Sequence, residues 1–195
     1  MLEHPEVALA ITVHVLALQV LYNVPSGDTA LQITARTASL RRAEGSPATA
    51  VINAARERWH ERIPADPEDL FAWCLSQNAD TLCGLLAFCV AQTVNGVRLK
   101  ADRPDCDRMV HAASLAATLK LDMSVWFTPT AGNYFGSIGK AAIIDALRDI
   151  KGDVALGWSG MKKPELAALA EREAGKAGWL PALLRAPLEA SASAA

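Results

Sequence analysis

The longest apolar run of the chain lies near its start, where only Thr12, His14 and Gln19 interrupt aliphatic text between Val7 and Tyr22. At about 100° per residue, Thr12, Gln19 and Asn23 fall on one narrow strip. The spacing predicts a helix over Pro5–Asn23, opened by a proline whose missing N–H costs nothing in a first turn. A helix so nearly apolar all round belongs at the centre of a fold. His14, on the far side from the polar strip, reads as a core histidine with its hydrogen bonds satisfied. The run is shorter than the roughly 20 residues a membrane-spanning helix needs, and its Met-Leu-Glu-His flank is acidic, unlike a secretory signal.

Beyond Asn23 the periodicity stops. Pro25, Gly27, Asp28, Gly45, Ser46 and Pro47 mark a loop over 24–47, with Leu31–Thr34 its one strand-like stretch and Arg36, Arg41 and Arg42 a small basic cluster. Ser46-Pro47 opens a second helix to about Ile63, in which Glu57 and Glu61 interleave with arginines as on a solvated face. Asp66-Pro67-Glu68-Asp69 combines an N-cap, a proline at the first helical position and acids at the positive end of the dipole, so a helix is expected to Ser76. Asn78–Val97 reads as another core helix. Its Gly84, Ala91 and Asn95 share a face suited to close approach, and Trp73 and Phe88 read as core.

The stretch Arg98–Asp107 alternates charge and breaks the pattern, as an exposed linker would. Shorter elements follow: a helix over Asp107–Lys120, a turn at Asp122–Trp126, a capped stretch to Phe135, and helices over Ser137–Ile150 and Lys163–Ala174. The expected fold is therefore all-α, a multi-helix orthogonal bundle over 1–98 with a C-terminal subdomain of shorter helices over 107–186. Residues 187–195 have a low-complexity sequence that predicts disorder. Two segments echo each other: GKAAIIDAL (Gly139–Leu147) and KKPELAALA (Lys162–Ala170) both read Lys-x-x-aliphatic at a helix start.

Composition fits this picture. With 195 residues and 51% apolar positions the chain can bury a substantial core, and alanine-rich text with 6% aromatics favours closely packed helices. The 19 Lys and Arg nearly balance the 21 Asp and Glu, so no large electrostatic footprint for nucleic acid is present. Cys74, Cys83, Cys89 and Cys106 form no CxxC pair. Three of them sit in apolar helical text, where such cysteines read as small buried hydrophobes, and disulfides are not expected in what reads as a cytoplasmic chain.

Motifs for chemistry are missing. The sequence holds no GxGxxG or GxxxxGK[ST] loop, no HExxH, no GxSxG and no EF-hand pattern. His4, His14, His60 and His111 are scattered, and Cys106 with His111 is not a usual metal spacing. The acid pair Glu171/Glu173 sits in text that reads as exposed helix. No catalytic residue, metal or cofactor is expected.

Three stretches carry a family resemblance: Leu70–Lys100, Leu115–Leu147 and Met161–Arg185. Their most specific pieces are LAFC-x-x-x-TVN-x-VR, LDM-x-x-WFTPT-x-x-NYF-x-x-x-x-K and the closing GWLP. Together they resemble the C-terminal helical region of large ParB-like (ParB/RepB-type) partition proteins, over about His4 to Arg185. The resemblance implies a role around DNA without enzymatic activity. The nucleotide-handling domain of that family, with its Gly-Glu-Arg-Arg box, has no counterpart here, so nucleotide binding and clamp loading do not carry over. The chain then reads as a C-terminal piece of such a protein or as a free-standing paralogue. The apolar helix at its start would call for a neighbour to cover it.

The DNA reading nominates Lys140, Arg148, Lys162 and Lys163, with Arg98, Lys100 and Arg103 as a second patch, because lysines at helix starts can meet phosphates beside free backbone N–H groups. Each is equally an ordinary solvated charge on the sequence alone. A second reading, self-association or docking to another partition protein, is favoured by the near-neutral charge and the acidic Asp66–Asp69 turn.

Overall fold

The computed structural model describes residues 2–25, 29–37, 46–98, 101–103, 106–152 and 157–185. These form an all-α protein with no strand among the described residues. The helices are α1 (Pro5–Leu21), α2 (Pro47–His60), α3 (Leu70–Ser76), α4 (Ala79–Thr93), α5 (Asp107–Thr118), α6 (Lys140–Lys151) and α7 (Lys163–Ala177). Two compact units divide between Ala112 and Ala113, within α5.

In unit 1, α1 packs on α3 and α4. Val13, Ala17 and Val20 of α1 close on Leu70, Cys74, Leu85 and Cys89, each nearly or fully buried. Full burial of a Val or Leu contributes roughly 1.5–3 kcal/mol, so this one contact region dominates the unit. The neighbour that α1 was expected to need is supplied by its own chain. Side-chain caps fix the starts of α2, α4 and the turn that precedes α3, whereas α1 opens on a proline without one. Ser46 Oγ accepts from Thr49 N–H (3.2 Å), Asn78 Oδ1 from Thr81 N–H (2.8 Å), and Asp66 Oδ1 from Glu68 N–H (2.9 Å). The Asp66 cap opens a 3-10 turn, Pro67–Asp69, that leads into α3.

The polar strip of α1 has a use. Gln19 donates to Ile33 O (2.9 Å) and accepts from Ala35 N–H (2.8 Å), clamping an extended segment by both sides of its amide. Among the described residues the strand-like stretch at 31–34 has no neighbouring strand; Gln19 holds it, and Thr29 donates to Leu31 O at 3.0 Å. Helix α2 buries no residue. Arg56 ties it down, donating to Val20 O and to Gln92 Oε1, each at 3.1 Å, with its guanidinium over Phe88.

Three expectations for unit 1 need correction. Close approach on α4 occurs at Gly84 alone, where an added Cβ would lie 3.4 Å from the Trp59 ring; Ala91 is exposed, and Asn95 lies past the helix end. His14 is not a satisfied core histidine: its Nδ1 is buried without a partner. Cys83 is exposed and Cys106 half-buried, so only Cys74 and Cys89 behave as buried hydrophobes.

Unit 2 is organised by α6 and α7 around Phe135, Ile143, Leu147, Trp158, Leu166 and Ala170. The segment before α6 forms a π-turn, Ala131–Phe135, fixed by a reciprocal cap. Thr130 Oγ1 accepts from Asn133 N–H (3.1 Å) and Asn133 Oδ1 from Thr130 N–H (2.7 Å). Gly152 (φ +77°) and Gly178 (φ +60°) end α6 and α7 in the left-handed conformation that glycine takes without steric penalty. Glu171 and Glu173, expected on an exposed surface, are both in use. Glu171 accepts from Ala131 N–H at 2.8 Å. The Glu173 side chain is only 13% exposed and meets Lys151 and Arg172 at 3.0 Å each. Hydrogen bonds from Lys151 and Arg172 pull its carboxyl down to about 2. The 187–195 tail lies outside the described residues.

Candidate nucleic-acid interface

The Lys-x-x-aliphatic echo has a structural explanation. In each copy the aliphatic residue, Ile143 or Leu166, is fully buried, and the lysine three places before it ties down a turn. Lys140, first residue of α6, donates from Nζ to Ser159 O (2.6 Å), in the turn that leads into α7. Lys163, first residue of α7, donates from Nζ to Gly136 O (2.9 Å), in the turn that leads towards α6. The two ties are reciprocal, and they bring both helix starts to one end of the unit. The Lys151–Glu173 pair, at 3.0 Å, joins α6 and α7 a second time, much further along both helices.

Lys162 is the N-cap residue of α7 and is exposed; its backbone N–H donates to Glu165 Oε2 at 3.2 Å. Lys140, Lys162 and Lys163 are therefore gathered where two helix dipoles present their positive ends. An ammonium carries three donors, so one bond to a carbonyl leaves Lys140 and Lys163 two N–H groups each for an anion. Glu165, in the first turn of α7, is the nearby opposing charge.

The remaining candidates are not part of this group. Arg148 sits eight residues into α6, about 12 Å along its axis, and pairs with Asp145 at 2.9 Å. Arg98 and Arg103 are exposed residues of unit 1, and Lys100 lies outside the described residues. The residue that organises their neighbourhood is Arg108, which sequence reasoning passed over. It donates to Val97 O (2.7 Å) and Asn95 O (3.2 Å) and pairs with Asp102. A cationic residue at the start of an amphipathic helix carries no sign of such a role until the preceding segment folds back on it. Unit 2 carries nine Lys and Arg against eight Asp and Glu, unit 1 ten against thirteen, so the gathered lysines belong to the less acidic unit.

Among the described residues no cluster of His, Cys, Asp and Glu could hold a metal ion. None of the helices there is long and apolar enough to cross a membrane. Burial raises the Cys74 thiol to about 11 and the Cys89 thiol to about 12, which leaves both in the unreactive protonated form at neutral pH.

No family model matches the chain, and no solved structure matches it. It is 31% identical over 124 residues to the uncharacterized protein YubM of Escherichia coli O157:H7. It is 30% identical over 122 residues to the protein of that name in Escherichia coli K12. Each match covers 58% of this chain and 17% of the relative, so the chain spans about a sixth of the length of those proteins.

Proposed function

We propose that this chain is a non-enzymatic, DNA-associated helical module of a ParB-like partition protein, working in the cytoplasm. The observation that carries the reading is the gathering of Lys140, Lys162 and Lys163 at the paired starts of α6 and α7. Phosphate contact at such a place draws on ammonium charge, free backbone N–H groups and two helix dipoles together. The three stretches that resemble ParB-like proteins supply the biological context, and two of them, Leu115–Leu147 and Met161–Arg185, contain these lysines. Arg98, Lys100, Arg103 and Arg148 become secondary contacts in this reading.

The second reading, self-association or docking to a partition partner, is favoured by a different observation. Leu119 (71% exposed) and Val125 (65%), with Leu115 and Leu121, leave apolar surface uncovered at and just after the end of α5.

Binding to mixed-sequence duplex DNA, titrated with salt, separates the two. The DNA reading expects affinity to fall steeply with salt, with a slope of about −0.9 per phosphate contact. Lys162→Glu should weaken binding without unfolding the protein, because its side chain makes no described tie. Absence of binding at low salt, together with a concentration-dependent dimer in sedimentation, would replace the first reading by the second.

A further inference from the structure

Unit 1 holds a cavity of about 570 Å³ between α1 and the start of α3, walled by Ile11, His14, Leu18, Pro67 and Phe71, with Glu68 also in its lining. That volume lies within the range of sites for small organic ligands, which are mostly apolar with one or two placed polar groups. The walls are mainly aliphatic and aromatic; Thr29 also lines the cavity, its hydroxyl donating to Leu31 O at 3.0 Å. The polar group on the α1 wall is His14, whose ring lies 5.1 Å from that of Phe71.

The two nitrogens of His14 are not equivalent. Nδ1 is sealed from solvent and has no hydrogen-bond partner. A buried lone pair left unpaired costs less than a buried N–H left unpaired, since orphaned donors are the rarer of the two in folded proteins. The proton therefore belongs on Nε2, the nitrogen that is not sealed. Burial also lowers the imidazole's pKa, so the neutral ring persists at physiological pH. The α1 wall thus offers a single neutral donor. Glu68, an exposed carboxylate, disfavours anions, and a cation would have to be desolvated among aliphatic walls.

We propose that this cavity is a binding site for a small, uncharged, mainly apolar molecule bearing one hydrogen-bond acceptor, which accepts from His14 Nε2–H while its body lies against Ile11, Leu18 and Phe71. The site is independent of the DNA reading, since none of its residues belongs to unit 2.

Acetophenone serves as the probe, with ethylbenzene as the same shape without an acceptor and benzoate as the charged counterpart. Titration of the full chain is followed by the NMR signals of the His14 ring and of the neighbouring Phe71 ring, the latter serving also for the His14 variant. Acetophenone should shift them and bind about three- to tenfold tighter than ethylbenzene, the factor expected of one net hydrogen bond; benzoate should bind least. His14→Phe keeps the ring and removes the donor, so it should abolish the preference for acetophenone while ethylbenzene still binds. Leu18→Trp should fill the space and exclude both. If His14→Phe does not fold, the order of the three probes on the unaltered chain still decides. Failure of acetophenone and ethylbenzene to move the His14 signals at millimolar concentration would overturn the site. Equal binding of the two would overturn the hydrogen bond assigned to His14.

Discussion

The indole N–H of Trp179 donates to Asp149 Oδ2 at 2.7 Å, fastening the segment after α7 to the last turn of α6. Arg185 pairs with the same carboxylate and lies over the Trp179 ring, which itself stacks on Phe135 at 5.9 Å. The GWLP sequence is thereby the point at which three parts of unit 2 meet. Trp179→Phe keeps the stacking and removes the N–H. It should lower the stability of unit 2 by about 1 kcal/mol, a hydrogen bond to a half-exposed charge. In a double-mutant cycle of thermal unfolding with Asp149→Asn, additive losses would show that the pair is not coupled.

Acid should act on unit 1 through His14. Burial depresses its pKa below the ordinary 6.5. As pH falls through 6.5 the unfolded chain takes up the proton first, so stability is fully present above 6.5 and declines below it. Glu68 lines the same cavity, and Phe71 is the ring against His14. Denaturant midpoints between pH 7.5 and 5 should fall for the unaltered chain and stay flatter for His14→Phe. Identical slopes for the two would remove His14 from the explanation.

The cysteines should divide by burial. At pH 8, iodoacetamide should modify Cys83 quickly, since it is exposed. Cys74 and Cys89, raised to about 11 and 12 in the core between α1, α3 and α4, should react only when unit 1 opens. Mass spectrometry of the labelled chain gives the order. Labelling of Cys89 as fast as Cys83 in native buffer would contradict the packing of α4.

Gly136 closes the π-turn. A Cβ there would lie 2.5 Å from Ala131 O, the same carbonyl that accepts Gly136 N–H at 2.8 Å. Gly136→Ala must displace backbone, so it should destabilise unit 2 by about 1–3 kcal/mol. Gly139→Ala, with nothing within 4 Å of its added Cβ, should change stability far less. Equal effects in melting experiments would show that the turn yields without strain.

The helices were legible in the chain because each carries its own instructions. Asn78, Ser46 and Asp66 name their helix starts, and the aliphatic run of α1 demands a central place. The candidate site was legible only in part. The lysines at positions 140, 162 and 163 stand out as helix openers in two echoing segments, but the same reading groups Arg148 with them, and nothing in the sequence shows that it pairs with Asp145 well along α6 instead. Glu171 and Glu173 looked like free surface because the backbone N–H and the lysine that engage them come from residues 20 to 40 positions earlier.

The sequence by itself determined the all-α class, the order of helices and the signals that begin and end them, because caps, periodicity and chain-breaking residues act within a few positions. Only the tertiary structure decided which polar groups would be used: that Lys140 and Lys163 tie each other's turns, that Arg108 holds the segment before it, and that His14 keeps one nitrogen unpartnered beside a cavity. Such choices depend on carbonyls and side chains brought together by packing, and burial sets the penalty for a polar atom that finds no partner.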